Sequence, residues 1–187
     1  MRCEWIVMRS EEAIAFWLKP ARAEREFFAG VIAELAARFD APIFEPHVTL
    51  WGGRIRKEDG LQILHECDLQ APLEMEVDRV RSSEKFTKTL FVQFHASAHA
   101  AELSDAITTA AQAESDSAFD PHLSLFYKEM PEAEKRALQT GIAIPFERVT
   151  FDGVQLITTP VPITSRAEVE AWRTIGERTI TSEKHER

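Results

Sequence analysis

Two short stretches carry the residues best suited to chemistry, and both follow one pattern. The first, P-H-V-T-L-W-G-G, contains His47 and Thr49, and the second, D-P-H-L-S-L-F-Y, contains His122 and Ser124. Each reads as a short strand, and side chains alternate across a strand, so each histidine shares a face with its hydroxyl residue. The apolar residues on the opposite face suit a core, whereas the polar pairs do not. We therefore expect the two polar pairs to line one cleft.

Two histidines that face one bound group are able to act as an acid and a base. Imidazole titrates at roughly 6.5, so at neutral pH one ring can take a proton from water while the other gives one to a leaving oxygen. This chemistry suits a cyclic phosphodiester, where water attacks phosphorus opposite the departing alkoxide. The hydroxyls of Thr49 and Ser124 would hydrogen-bond the phosphate oxygens, and the scheme needs no metal ion. We take His122 as the base and His47 as the acid, although the exchanged assignment is equally physical.

The elements around the histidines repeat in the same order. Apolar residues recur at helical spacing or alternate as in strands. These patterns predict a strand at 13–20, a helix at 21–39, the first histidine strand, a helix at 58–66 and a strand from 73, then a strand from 90, a helix at 97–113, the second histidine strand, a helix at 131–140 and a strand at 148–159. The sequence therefore predicts two β-α-β-α-β lobes with the histidine strands in equivalent places.

We expect one domain over residues 1–187, with an N-terminal lobe at about 13–82, a C-terminal lobe at about 86–160 and a strand and tail at 161–187. No linker rich in glycine, serine or proline separates the lobes, so they should pack together. Asp152-Gly153 lies inside the last strand of the second lobe. That dipeptide predicts either a hairpin turn or a bulge in one continuous strand, and we favour the bulge.

Net charge, hydropathy and cysteine content argue against several classes of protein. The formal net charge of -9 argues against binding long nucleic acid, but not against a small anionic ligand in a local pocket. No apolar run is long enough to cross a bilayer, and the N-terminus lacks the pattern of a signal peptide. Cys3 and Cys67 form no disulfide framework, which favours a reduced, cytoplasmic protein over one with a Cys3–Cys67 disulfide. We expect a monomer without a membrane partner.

No metal or other cofactor is expected. His95 and His99 have the spacing of two metal ligands on a helix. However, His95 closes a predicted strand and His99 lies in the first turn of a helix, so the two side chains do not share a helical face.

With these motifs the chain resembles the 2H (two-histidine) phosphoesterases, which carry one H-x-[S/T]-hydrophobic motif per lobe. Within that superfamily it is most similar to the cyclic phosphodiesterases, through A-F-W-L-K-P, P-H-V-T-L-W-G, H-L-S-L-F-Y and a late tryptophan strand. The resemblance implies a bilobal, pseudo-two-fold α+β fold, with two antiparallel sheets flanking a central cleft and helices outside. It also implies metal-independent hydrolysis of ADP-ribose 1″,2″-cyclic phosphate, nucleoside 2′,3′-cyclic phosphates, or both.

The resemblance also implies roles for particular residues. His47 and His122 match the catalytic positions of the family's two motifs, and Thr49 and Ser124 match the phosphate-binding positions. Tyr127 matches an aromatic hydroxyl that the cyclic phosphodiesterases place just after their second motif. Alternation along an unbroken strand puts Tyr127 on the apolar face, so it reaches the cleft only if the strand bends or ends before it.

Further residues have two interpretations each. Phe86 matches a residue that would cover the base of a nucleotide, or it is a core phenylalanine. Trp51 shares a face with His47, so it either stacks on a base or packs between the lobes. Five basic residues either attract a phosphate or are ordinary solvated charges. They are Arg54, Arg56, Lys57, Lys85 and Lys88.

Two other functions remain as alternatives. One is a 2′,3′-cyclic phosphodiesterase acting on RNA ends, like the 2′-5′ RNA ligase-like members, against which the net acidity counts. The other is a 2H-fold module that binds a nucleotide without turnover, which would not need both histidines.

Overall fold

The computed structural model describes residues 11–69, 71–113 and 118–180. The elements in those ranges are β1 (Glu11–Pro20), α1 (Arg22–Phe39), β2 (Val48–Gly53), α2 (Lys57–Glu66), β3 (Leu73–Ser82), a 3₁₀ turn (Phe86–Lys88), β4 (Leu90–His95), α3 (Ala98–Ala110), β5 (His122–Phe126), α4 (Glu132–Gly141), β6 (Arg148–Val161), α5 (Arg166–Glu170) and β7 (Arg173–Thr179). The predicted order is confirmed for both halves. The short helix α5 was not predicted. Cys3 and the tail from residue 181 lie outside the described residues.

The strands form one antiparallel sheet that closes on itself. Its order is β1-β2-β5-β4-β3-β6-β7, and β6 pairs with β1 to complete a ring of six strands to which β7 is added. The α+β class with antiparallel strand pairing and helices outside is therefore confirmed, and the two expected sheets are joined into one. The sheets of the two halves join through β2 and β5, where Val48 pairs with Leu123. Each of these residues directly follows a motif histidine. No helix in the described parts of the chain is long and apolar enough to span a membrane.

The pairings obey a two-fold relation between the halves. The β1–β6 pair corresponds to β4–β3, and β1–β2 corresponds to β4–β5. The helices follow the same rule, because α1 packs on β5 and α3 packs on β2. Each long helix thus covers the histidine strand of the other half. The two histidine strands are themselves neighbours in the ring.

Strand pairing crosses the expected lobe boundary. The last strand of the first half, β3, pairs with β4 and β6, and β6 in turn pairs with β1. The division into lobes at residues 82–86 remains a sequence-based prediction. The strand β6 runs unbroken through Asp152-Gly153. Lys19 pairs with Gly153 and Pro20 with Phe151, so Asp152 is the extra residue of a bulge, as expected.

The core lies inside the ring and under the helices. In β2 and β5 the apolar partners Val48, Leu50, Leu123 and Leu125 are buried in one large cluster. Burial of these side chains fixes the register, because a slip by one residue would move them out of the core and the histidines into it. Because the apolar face of each histidine strand packs in the core, the face that carries the histidine and the hydroxyl residue lies on the opposite side of the strand.

Candidate active site

The two polar pairs line one cavity, as expected. His47, Thr49, His122, Ser124 and Tyr127 all contribute to a cavity of about 400 Å³, here called the histidine cavity. Its wall also includes residues that were not predicted, among them Ala13, Ala15, Trp17, Thr87, Thr159 and Trp172. The sequence-based prediction that the two motifs face one cleft is confirmed by this geometry.

The same local structure holds each histidine. The Nδ1 atom of His47 lies 2.7 Å from the carbonyl oxygen of Glu45, and Nδ1 of His122 lies 2.9 Å from that of Asp120. A carbonyl oxygen only accepts, so Nδ1 carries the proton in both rings and donates it. In the neutral rings Nε2 is then the atom able to accept a proton. A proline follows each carbonyl-bearing residue and favours the extended backbone there.

Burial lowers the pKa of both histidines. It lowers the pKa of His47 to about 4, and the charge of the nearby His122 lowers it further against the opposing effect of the Glu45 hydrogen bond. The pKa of His122 is also lowered, chiefly by burial and in part by Lys88, while the carbonyl of Asp120 opposes the shift. Both rings are therefore neutral at pH 7 in the unliganded protein.

Aromatic rings surround His47. The indole of Trp17 stacks on the imidazole with centroids 3.6 Å apart and planes 8° from parallel. Trp172 meets the imidazole edge-on at 5.8 Å, and Phe44 does so at 6.4 Å. The indole nitrogen of Trp172 is buried and makes no hydrogen bond with any described residue. His122 has a more open setting, with Phe91 edge-on at 5.5 Å.

The hydroxyl residues of the two motifs differ. Thr49 is exposed, so its hydroxyl is accessible from the cavity. Ser124 is buried, and its Oγ donates to the carbonyl oxygen of Thr87 at 3.0 Å. The side chain of Ser124 thereby fixes the segment that follows β3. A phosphate role for Ser124 requires its hydroxyl to turn from that carbonyl toward the phosphate, because a hydroxyl has one hydrogen to donate.

Tyr127 reaches the cavity because β5 ends at Phe126. Its ring stacks on Phe44 with centroids 4.1 Å apart, and its hydroxyl is hydrogen-bonded to the side chain of Ser124. Burial raises the pKa of Tyr127 to about 12. The phenol therefore stays protonated at every physiological pH and acts only through hydrogen bonds.

The structure does not bring Trp51 and Phe86 to the histidine cavity. Phe86 packs beside Tyr127, with centroids 6.1 Å apart, in a small cluster that includes Ile32 and Phe44. Trp51 meets Phe16 edge-on at 6.1 Å and lines a neighbouring groove. Contacts of either residue with a base remain predictions.

The basic residues after the first motif also differ in whether they reach the histidine cavity. Arg54 lines the histidine cavity. Arg56 instead forms an ion pair with Asp59, and Lys57 forms one with Glu12. Arg54 therefore places a positive charge on the wall of the cavity that holds both histidines.

The sequence and the fold of this chain are similar to those of known proteins. The chain is 25% identical over 131 residues, 69% of its length and 72% of the relative's, to a protein of Arabidopsis thaliana named cyclic phosphodiesterase. Its structure is similar to that of E. coli LigT complexed with 3′-AMP, with a TM-score of 0.59 and 15% identity over 91% of this chain and 99% of that one. It is also similar to the TT0787 protein of Thermus thermophilus, with a TM-score of 0.61 and 14% identity over the same shares.

A family model covers most of the chain and both histidine motifs. The model of the 2′-5′ RNA ligase superfamily matches residues 33–161, which include the strands β2 and β5 and the cavity residues at their ends. The resemblance to the two-histidine phosphoesterases is therefore confirmed, and this chain belongs to the 2′-5′ RNA ligase superfamily of 2H phosphoesterases.

Proposed function

We propose that this protein hydrolyses ribose cyclic phosphodiesters to phosphomonoesters by paired histidine acid–base catalysis without a metal ion. The observation that carries the proposal is that His47 and His122 line one cavity, each with Nδ1 anchored on a backbone carbonyl. This anchoring leaves the two Nε2 atoms as the groups able to exchange protons with a substrate and water. The substrates are ADP-ribose 1″,2″-cyclic phosphate, nucleoside 2′,3′-cyclic phosphates, or both.

In the proposed reaction one neutral histidine takes a proton from water as the water oxygen attacks phosphorus. The other histidine, in its charged form, gives a proton to the departing ribose oxygen, so one P–O bond forms and one breaks. Because both pKa values are lowered in the unliganded protein, the acid gains its proton when the substrate's negative charge enters the cavity. The assignment of His122 as base and His47 as acid remains a prediction that requires the larger rise in pKa at His47.

The cavity supplies further interactions to the bound phosphate. The accessible hydroxyl of Thr49 donates to one phosphoryl oxygen, and Arg54 provides a positive charge on the same wall. Trp17 holds the imidazole of His47 in one plane by stacking on it. Such preorganised donors stabilise the charge that develops in the transition state more than they stabilise the ground state.

The relatives support the same class of chemistry. The Arabidopsis relative is named a cyclic phosphodiesterase, and the E. coli LigT structure contains 3′-AMP, a ribose phosphomonoester. The family name also favours a second candidate, hydrolysis at the ends of RNA. The net charge of -9 favours small substrates over that candidate.

Phosphorus NMR tests the proposal directly. The purified protein is incubated in EDTA with adenosine 2′,3′-cyclic phosphate, with ADP-ribose 1″,2″-cyclic phosphate, or with an oligonucleotide that ends in a 2′,3′-cyclic phosphate. We expect a monoester signal to replace the cyclic signal of the small substrates, and its chemical shift to identify the product isomer. Faster turnover of the oligonucleotide would favour the second candidate. Binding of all three without turnover would favour a nucleotide-binding module and contradict the proposal.

A further inference from the structure

A second groove continues from the histidine cavity past His122. We call it the lysine groove and define it by Trp51, Lys85, Lys88, Asp120 and His122. It has a volume of about 450 Å³. The two spaces share four wall residues, which are Thr49, Gly52, Thr87 and His122. A substrate whose phosphodiester lies between the two histidines therefore has room to extend into the lysine groove.

The charges on the lysine groove leave one unmatched cation. Lys88 donates to Asp120 at 2.7 Å, and its ammonium lies 4.4 Å from the centroid of the Phe91 ring. Lys85 is exposed, and no carboxylate of a described residue lies within ion-pair distance of its ammonium. Asp105 on α3 is the other carboxylate on the groove; it is exposed, as Lys85 is, and it does not pair with Lys85.

The backbone that carries Lys85 is held firmly. The hydroxyl of Ser83 donates to the carbonyl of Lys88 at 2.6 Å and accepts from the amide of Lys85 at 3.2 Å. The hydroxyl of Thr89 donates to the carbonyl of Phe86 at 2.9 Å. A cation on a fixed segment loses less conformational freedom when it binds a ligand. The segment is also joined to the catalytic strand, because the Thr87 carbonyl accepts from Ser124.

From these observations, and resting on the function proposed above, we propose that the lysine groove binds a second phosphate group of the substrate, with Lys85 as its principal partner. The chemical class is a ribose cyclic phosphate that also carries a phosphate or diphosphate on its 5′ oxygen. An ammonium group donates strong, charge-assisted hydrogen bonds to phosphate oxygens. A nucleoside cyclic phosphate with a free 5′ hydroxyl lacks this interaction and would leave the groove to water.

A matched pair of substrates tests the proposal. Adenosine 2′,3′-cyclic phosphate is compared with the same compound carrying a 5′-phosphate, and kcat/KM is measured for each. We expect the 5′-phosphate to raise kcat/KM about tenfold, mainly through a lower KM, since a charge-assisted hydrogen bond contributes about this much. We expect the advantage to shrink toward one in about 1 M NaCl, where charges are screened beyond about 3 Å.

Two lysine variants test whether Lys85 causes the preference for the 5′-phosphate. Lys85→Gln should bring the ratio of the two kcat/KM values close to one, whereas Lys57→Gln, which removes the same charge from a residue that lines neither space, should keep the wild-type ratio. The ratio is the informative quantity because a general loss of activity cancels from it. Equal kcat/KM for the two substrates in the wild type, or an unchanged ratio in Lys85→Gln, would overturn the proposal.

A binding measurement separates this proposal from the proposed function. Calorimetry with adenosine 2′-monophosphate and adenosine 2′,5′-bisphosphate requires no turnover. A Kd about tenfold lower for the bisphosphate, lost in Lys85→Gln, supports the second phosphate site even if no cyclic phosphate is hydrolysed. Equal Kd values refute the site even if hydrolysis is rapid.

Discussion

At the scale of the residue, two histidines with the same anchor have different surroundings. Each donates from Nδ1 to the carbonyl two residues earlier. His47 is nevertheless 7% exposed and stacked on Trp17, whereas His122 is half-buried beside Lys88 and Asp120. Pairs of titratable groups in unlike environments are the usual way in which a site divides acid and base roles. The aromatic wall around His47 is thus part of the proposed mechanism.

The buried His47 should make the protein less stable in acid. Its pKa is 6.5 when unfolded and about 4 when folded, so the unfolded chain binds more protons between these values. The contribution is present above pH 6.5 and is lost as the pH falls toward 4. At about 1.4 kcal/mol per pH unit it amounts to roughly 3 kcal/mol. Wild type should therefore lose about this much more free energy of unfolding between pH 7 and 4 than His47→Asn does.

Urea unfolding at both pH values measures this difference. His65→Asn serves as a control, because His65 is exposed on α2 and its loss should leave the wild-type pH dependence intact. Parallel pH dependences for wild type and His47→Asn would show that His47 is not held neutral by burial.

At the scale of the element, the hinge between the halves supports the site. The segment from Ser83 to Thr89 carries Lys85 and the Thr87 carbonyl that accepts from Ser124. It is tied to α4 by Lys135, whose ammonium donates to the Ser83 carbonyl at 3.1 Å and to Glu84 at 2.8 Å. The side chain of Lys135 is 3% exposed. A buried ammonium on α4 thus fixes a segment at the active site.

Lys135→Met should therefore weaken activity from outside the cavity. Methionine fills most of the same volume but cannot donate to the Ser83 carbonyl, so the hinge would move more freely. We expect kcat/KM for adenosine 2′,3′-cyclic phosphate to fall about three- to tenfold, in line with the loss of one or two positioning hydrogen bonds. Steady-state kinetics measure the change. Lys57→Met is the control, and an equal loss in that variant would argue against a positioning role for Lys135.

At the scale of the whole molecule, the halves form one closed ring rather than separable units. Each half contributes a strand to the other's pairing, and the Val48–Leu123 pair joins the two histidine strands. Both residues are fully buried in the main core cluster. We therefore expect the halves to unfold together, and a destabilising substitution at this junction to lower the stability of both halves.

Leu123→Ala tests this cooperativity. Removing a fully buried leucine should lower the free energy of unfolding by about 2–5 kcal/mol while leaving one transition. Leu61→Ala is the matched control, because Leu61 is 42% exposed and its truncation should cost less than about 1 kcal/mol. Unfolding monitored by both fluorescence and circular dichroism would reveal two separate transitions if the halves were independent.

Much of this arrangement could be predicted from the sequence. Period-two and helical apolar spacing predicted the order of elements, and the polar face of each histidine strand predicted the shared cleft. These signals are local, and they agree with the burial of Val48 and Leu123 opposite His47 and His122. The end of β5 before Tyr127 was left open because alternation alone does not show where a strand stops.

Other features depend on contacts between residues that are far apart in the sequence. Trp17 lies in a strand that is apolar on both faces, so its pattern does not reveal that this side chain meets His47. Trp172 directly precedes β7, and it reaches the cavity because β7 pairs with β6. The pairing of β3 with β4 likewise crosses the expected lobe boundary. No local periodicity encodes such long-range pairings.

The most direct test of the central claim is the rate of hydrolysis of a ribose cyclic phosphate by His47→Asn and His122→Asn in EDTA. General acid or base catalysis contributes about 10²–10⁴-fold, so each substitution should lower kcat by at least about a hundredfold. The double variant should be hardly slower than the worse single one, because the two rings act as a unit. His65→Asn should retain wild-type activity. Near-normal kcat in either single variant would contradict paired histidine catalysis.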